Sequence, residues 1–80
     1  MLVHFVDTPM LEYEGYMVPR MFLQFLFERT EGIFPNDKPL QSILIQQILT
    51  EWLNGNVVFT LYENMIVFSR VPFYLRSIFS

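Results

Sequence analysis

The fold is decided by residues 39–55, whose sequence is PLQSILIQQILTEWLNG. Apolar side chains recur there at spacings of three and four residues, which predicts an amphipathic helix over residues 39–54. Its wide apolar face contains Leu40, Ile43, Leu44, Ile45, Ile48, Leu49, Trp52 and Leu53. Trp52 lies in line with the aliphatic residues, so we expect it to belong to the core rather than to an interface.

The residues that flank this helix carry its start and stop signals. Asn36 or Asp37 can cap the amino end, and Pro39 suits the first turn, where its missing N–H costs no hydrogen bond. Asn54 and Gly55 favour the left-handed conformation that ends a helix.

A second helix is predicted upstream, over residues 19–30. It is apolar on most of its circumference, and its polar residues form one narrow stripe of Arg20, Gln24, Glu28 and Glu31. A helix with so little polar surface lies in the core or packs on two sides. Gly32 is its expected C-cap.

Downstream, residues 56–62 and 65–71 read as two strands joined by a turn at Glu63-Asn64. A two-residue turn pairs Leu61 with Ile66, Phe59 with Phe68 and Val57 with Arg70 on the face toward the helices. The other face then pairs Tyr62 with Met65, Thr60 with Val67 and Val58 with Ser69, and we expect it to be partly exposed.

The two ends of the chain give weaker signals. Residues 2–6 are β-prone and stop at a turn over residues 7–9, and a second strand is predicted over residues 11–18, with a bulge or bend at Gly15. Residues 73–79 form either a short amphipathic helix or an extended tail that needs cover.

Together these elements predict a single α+β domain over residues 1–80. Two hairpins and two helices follow the order ββααββ, with a small antiparallel sheet covered by the helices on one face and a short C-terminal helix. We take all strands to join one sheet, because each apolar helix face needs a cover.

Charge and targeting signals exclude several classes of function. The chain has a net charge of −3, and its five basic residues are scattered singly. Because a nucleic-acid surface needs a row of basic contacts, we expect no nucleic-acid binding. Without a signal peptide or a run of about 20 apolar residues, we expect a soluble, cytoplasmic protein.

The sequence offers little to catalysis. There is no cysteine, and His4 is the only imidazole, so neither a nucleophile with its base nor a metal ligand set can be assembled. Glu12 with Glu14, and Glu28 with Glu31, are better explained as solvated carboxylates than as an acid–base pair. We expect no enzymatic activity, no cofactor and no metal.

Binding features are stronger. Apolar residues make up 52% of the chain, including nine Phe, and a small domain cannot bury so many. Tyrosines beside acids are common at interfaces, because the ring is apolar and the hydroxyl can form hydrogen bonds. The predicted partner-binding residues are Glu12, Tyr13, Glu14, Tyr16, Tyr62 and Glu63. For the first four, an ordinary edge strand guarded by charge is the alternative.

In size, aromatic content and lack of modular motifs, the chain resembles the small accessory proteins of phages and other mobile elements. Many of those proteins bind and block a host protein, so the resemblance implies an inhibitor but transfers no residues. The leading hypothesis is therefore a protein-interaction module. A structural homo-oligomer is the alternative, a membrane-surface protein that uses the C-terminal tail is weaker, and an enzyme comes last.

Overall fold

A computed structural model describes residues 9–80, which form two short hairpins on either side of a pair of helices. In chain order the elements are β1 (Met10–Tyr13), β2 (Tyr16–Pro19), α1 (Arg20–Ile33), α2 (Lys38–Leu53), β3 (Val58–Tyr62), β4 (Met65–Arg70), a 3₁₀ turn (Phe73–Leu75) and α3 (Arg76–Phe79). The α+β class, the ββααββ order and the short C-terminal helix are thus confirmed. No helix within residues 9–80 is both long and apolar enough to cross a membrane.

The first hairpin lies within the segment predicted to be a single strand over residues 11–18. Glu14 and Gly15 have φ angles of 49° and 88°, the left-handed values that a tight two-residue hairpin turn requires. The chain therefore reverses at Gly15 instead of bending, and Tyr13 pairs with Tyr16 across the turn. The strand predicted over residues 2–6 lies outside the described residues.

The strands form two separate sheets, and this corrects the expectation of one continuous sheet. In residues 9–80, β1 pairs only with β2, and β3 pairs only with β4. A short first hairpin of four-residue strands covers one side of the helices, and the longer second hairpin covers another. Each two-stranded sheet leaves both of its outer edges without a strand partner in this part of the chain.

Helix α1 begins directly after β2 and is joined to the first hairpin at its amino end. The N–H of Arg20 donates to the carbonyl of Pro9 at 2.9 Å, which satisfies one of the free donors of the first turn. Gly32 was predicted to be the C-cap, but it lies inside the helix. The helix ends at Ile33, and the N–H of its C-cap, Phe34, donates to the carbonyl of Thr30 at 2.8 Å.

Helix α2 has the predicted ends. The side chain of Asp37 accepts a hydrogen bond from the N–H of Leu40 at 3.2 Å, and Gly55 follows the helix with a φ of 81°. The buried side chain of Gln41 donates to Glu31 and to the carbonyl of Phe34, both at 2.7 Å. Gln41 thereby fixes the loop between the helices and satisfies polar groups that burial would otherwise penalise.

The second hairpin has most of the predicted register. Leu61 faces Ile66, Phe59 faces Phe68, Thr60 faces Val67 and Tyr62 faces Met65. A bulge then shifts the last pair, so that Val58 faces Arg70 and not Ser69. The predicted pairs of Val57 with Arg70 and of Val58 with Ser69 are therefore wrong. Ser69 is the extra residue, and its hydroxyl donates to the carbonyl of Val58 at 3.3 Å.

The core is centred on Phe22, a fully buried residue of α1. Its ring centroid lies 5.4 Å from that of Trp52 and 4.5 Å from that of Phe59. The buried hydrophobic residues around it are Val18, Leu23, Leu26, Ile45, Ile48, Leu49, Val57, Leu75 and Ile78. The C-terminal segment thus folds back onto the domain through Leu75 and Ile78.

Two glycines give opposite predictions for stability. An added Cβ meets no atom within 4 Å at Gly15 or at Gly32. The backbone conformation alone therefore determines how each substitution changes the stability. Gly15→Ala should lower the free energy of unfolding by about 1–2 kcal/mol, since alanine disfavours positive φ. Gly32→Ala should raise it by about 0.5–1 kcal/mol, since glycine weakens a helix interior.

Urea denaturation of both variants beside the wild-type chain measures this difference, provided that the m-value is unchanged. A stabilised Gly15→Ala variant would show that the first hairpin does not turn at Glu14 and Gly15.

Candidate protein-docking surface

The first candidate site is the solvent-facing side of the β3–β4 hairpin. We call this side the outer face, and it consists of Val58, Thr60, Tyr62, Met65 and Val67. Four of these are apolar side chains with a large exposed fraction: 41% for Val58, 58% for Tyr62, 53% for Met65 and 45% for Val67. Tyr62 opposes Met65, and Thr60 opposes Val67, so the exposed side chains are cross-strand neighbours.

The alternation of the strands explains this exposure. Phe59 and Phe68 point to the other side and pack against the core, where the Phe68 ring lies 4.9 Å from that of Phe25. Because successive strand residues point to opposite faces, burial of one set exposes the other. In a two-stranded sheet with a single helical layer beneath it, no other described element covers the outer face.

The edges of this hairpin are also unprotected. Strand β3 carries no charged residue, and β4 carries only Arg70, at its end. Natural edge strands are usually guarded by charge, proline or a cover, since free N–H and C=O groups can pair with another chain. An uncharged edge beside an exposed apolar face is typical of a surface that binds protein.

Glu63 lies at the turn of this hairpin, at one end of the outer face. Its φ is 55°, a left-handed conformation that an L-residue other than Gly, Asn or Asp adopts at a cost of roughly 1–2 kcal/mol. Both Tyr62 and Glu63 are exposed. These two predicted residues are therefore adjacent on an accessible surface that includes Met65.

A groove runs between β4 and α1. We call it the β4 groove; it has a volume of about 350 Å³. Its lining is mostly apolar and comprises Met21, Gln24, Phe25, Glu28, Asn64, Met65 and Ile66. Since Met65 belongs to both features, the β4 groove is continuous with the outer face.

A second groove of about 450 Å³ lies on the other flank of α1. Leu11 of the first hairpin forms one wall, and Leu23 and Phe27 of α1 form the other. Gln24 and Glu28 line both grooves. The predicted polar stripe of α1 is therefore a ridge that separates two apolar depressions.

Tyr13 and Tyr16 of the first hairpin are turned toward the helices. The Tyr13 ring meets that of Phe27 edge-on at 5.5 Å, and its hydroxyl donates to Ser42 Oγ at 3.3 Å. The hydroxyls of Tyr16 and Thr50 share a hydrogen bond of 3.3 Å. Both rings are half-buried, so the structure gives them a role in attaching the hairpin to α1 and α2.

Glu12 and Glu14 are exposed on this hairpin, and both also contribute to its turn. A carboxylate oxygen of Glu12 accepts the N–H of Gly15 at 3.0 Å, which supports the turn, and Glu14 occupies a turn position. The six predicted residues thus fall on two hairpins in separate sheets. Their assignment to partner binding stays a prediction.

The C-terminal segment is held by a polar contact that the sequence did not suggest. The hydroxyl of Tyr74 donates to the carboxylate of Glu51 and accepts from Gln47 Nε2 at 2.9 Å. Asn56 donates to the same carboxylate at 2.8 Å. The Tyr74 hydrogen bond, followed by that of Asn56, lowers the pKa of Glu51, and the carboxylate raises the pKa of Tyr74.

Sequence reasoning found Tyr62 but not the aliphatic residues around it. The predicted register had already placed Met65 and Val67 with Tyr62 and Thr60 on one partly exposed face, but of these four only Tyr62 was named as a partner-binding residue. The β4 groove could not be predicted from the sequence, because it depends on how β4 lies across α1. Within residues 9–80, no group of three His, Asp or Glu side chains is arranged to hold a metal ion.

Comparison with known proteins found no matching family model, curated protein or solved structure.

The same substitution distinguishes the half-buried Tyr13 from the exposed Tyr62 by its effect on stability. Tyr13→Thr should lower the free energy of unfolding by about 2 kcal/mol, because it removes a half-buried ring from Phe27. Tyr62→Thr should cost less than about 1 kcal/mol, because threonine keeps the strand propensity and only a cross-strand contact is lost. Urea denaturation checks both values, and a larger loss for Tyr62→Thr would refute the assigned orientations.

The Glu51–Tyr74 contact predicts a measurable pKa change. In Tyr74→Phe the pKa of Glu51 should rise toward its ordinary value, since the main hydrogen bond that favours the carboxylate is gone. In the wild-type chain this contact stabilises the fold above the unfolded pKa of Glu51, and the stabilisation is lost as pH falls through the folded pKa.

The same contact raises the pKa of Tyr74, so its contribution is present below the unfolded pKa of about 10 and is lost as pH rises further. An NMR titration of the Glu51 carboxyl carbon in the wild-type chain and in Tyr74→Phe measures the change. An unaltered Glu51 titration in Tyr74→Phe would contradict the contact.

Proposed function

We propose that the chain is a protein-interaction module that docks through the outer face of the β3–β4 hairpin. The observation that carries this proposal is the set of half-exposed, cross-strand apolar side chains around Tyr62 and Met65. Soluble domains seldom leave such residues contiguous unless a partner covers them. Fully burying a large apolar side chain contributes about 1.5–3 kcal/mol, so this face can form the centre of an interface.

The chemistry of the face indicates the kind of partner. Tyrosine and methionine are enriched at interface centres, because one offers a rigid ring with a hydroxyl and the other an adaptable thioether. A standard interface needs about 800 Å² on each partner, which is more than five side chains supply. The partner therefore has to reach beyond the outer face to the turn at Glu63 and to the β4 groove.

Charge at the rim adds a second requirement. The chain carries a net charge of −3, and Glu63 lies at the turn end of the outer face. A basic rim on the partner would speed association at low salt and have less effect at high salt. The centre, being apolar, should hold the complex at high salt.

The test is affinity capture from lysate of the native source, with mass spectrometry of the bound proteins. The bait is the tagged full chain, in wild-type form and as the double variant Tyr62→Thr, Val67→Thr. The matched control is Ile43→Thr, which removes a comparable exposed side chain, 64% accessible, from α2. We expect a stoichiometric partner that the wild type and the control capture and that the double variant loses.

Circular dichroism and a urea titration show that each bait is folded before capture. A partner held equally by the double variant and by the wild type would overturn the outer face as the docking surface.

The homo-oligomer remains the second candidate, because both edges of the β3–β4 sheet lack a strand partner in residues 9–80. Sedimentation of the full chain over a range of micromolar concentrations distinguishes the two. A dimer that dissociates in the double variant would assign the outer face to self-association. The inhibitor activity, the resemblance to phage accessory proteins and the cytoplasmic location stay predictions carried by size and composition.

A further inference from the structure

One edge of β4 lies against a groove and not against another strand. In residues 9–80, β4 pairs only with β3, so every second residue along its other edge directs its N–H and C=O away from the ladder. Met65 and Ile66 of β4 also line the β4 groove. The unpaired backbone groups of β4 therefore lie beside an apolar depression.

The wall opposite this edge is the flank of α1. Met21 and Phe25 supply most of its apolar surface. Phe79 of α3 packs on Phe25 and on Phe68 at centroid distances of 5.6 and 4.6 Å. On the β4 side the groove is lined by Asn64, Met65 and Ile66.

Given the proposed function, on which this inference rests, we infer that the partner presents an extended peptide segment that adds to β4 as a third strand. Its main chain pairs with the free edge of β4. Its side chains alternate, with one set entering the groove against Met21 and Phe25 and the other extending the outer face beside Met65 and Val67. Strand addition of this kind takes its affinity from the backbone and its specificity from pockets for alternate side chains.

Charge selects the sequence of that segment. Within residues 9–80, Glu28 is the only charged residue that lines the β4 groove, and a peptide side chain that enters the groove passes beside it. Arg29 is not part of this lining, and its guanidinium lies 5.1 Å from the centroid of the Phe25 ring. A segment with alternating apolar residues and one Lys or Arg directed at Glu28 fits best. The second groove, by contrast, contains both Arg20 and Glu28, and so presents no single charge to a ligand.

Selection from a displayed library of random 12-residue peptides tests the inference without a known partner. The bait is the full wild-type chain. We expect enriched peptides with alternating apolar residues and a basic residue. On titration of an enriched synthetic peptide, NMR shift changes should centre on Met65, Ile66 and Val67 of β4 and on Met21 and Phe25 of α1.

Backbone methylation of the same synthetic peptide tests strand pairing directly. N-methyl groups on one set of alternate residues should weaken binding at least tenfold, since they remove the hydrogen bonds to β4. N-methyl groups on the other set should leave the affinity within about twofold. Equal effects of the two patterns would rule out strand addition.

A change of charge tests the groove. Glu28→Gln should weaken the peptide about three- to fivefold, whereas Asn54→Lys, which changes the net charge equally just after α2, should change the affinity less than twofold. Both residues are exposed, so neither substitution threatens the core.

The inference is overturned if no peptide is enriched, if the enriched peptides shift residues away from β4, or if Glu28→Gln and Asn54→Lys act alike. It is also overturned if the free chain dimerises through β4, seen as amide protection of Ile66 and Phe68 that disappears on dilution. None of these outcomes decides whether the outer face binds a partner in the affinity capture. The Tyr62 and Val67 substitutions test that separately.

Discussion

The packing of one aromatic side chain, Phe22, governs the arrangement of the domain. It is fully buried on α1, and its ring lies against Trp52 of α2, Phe59 of β3 and Phe68 of β4. The chain has no cysteine, so no disulfide bond can stabilise so small a domain, and apolar burial has to supply the stability. Helices α1 and α2 and the second hairpin therefore meet near one ring, and the second hairpin reaches it with only one of its faces.

The candidate docking surface follows from that geometry. Phe59 and Phe68 must point at Phe22, so Tyr62, Met65 and Val67 must point away from it, because strand side chains alternate. A domain with one layer of helices has nothing left to cover them within residues 9–80. Of the exposed large hydrophobic residues, Val58, Tyr62, Met65 and Val67 thus share one face of the second hairpin. Its continuity with the β4 groove lets one partner engage both side chains and backbone.

The tyrosines show why exposure could not be inferred from residue type. Tyr13 and Tyr16 contact α1 and α2 and hydrogen-bond to Ser42 and Thr50, whereas Tyr62 faces outward and Tyr74 holds the C-terminal segment through Glu51. A tyrosine suits either environment, since its ring is apolar and its hydroxyl finds partners in both. The roles of these four tyrosines therefore differ, and each role depends on the element that the ring faces.

The sequence by itself determined the two helices, the caps of α2 at Asp37 and Gly55, and the pairing of Phe59 with Phe68. These features depend on periodicity, capping chemistry and turn length, which act over a few neighbouring residues. Tertiary structure decided the split into two sheets, the bulge at Ser69, the orientation of the tyrosines and the β4 groove. Those depend on contacts between residues far apart in the chain, and a local pattern shows which residues share a face but not what that face will meet.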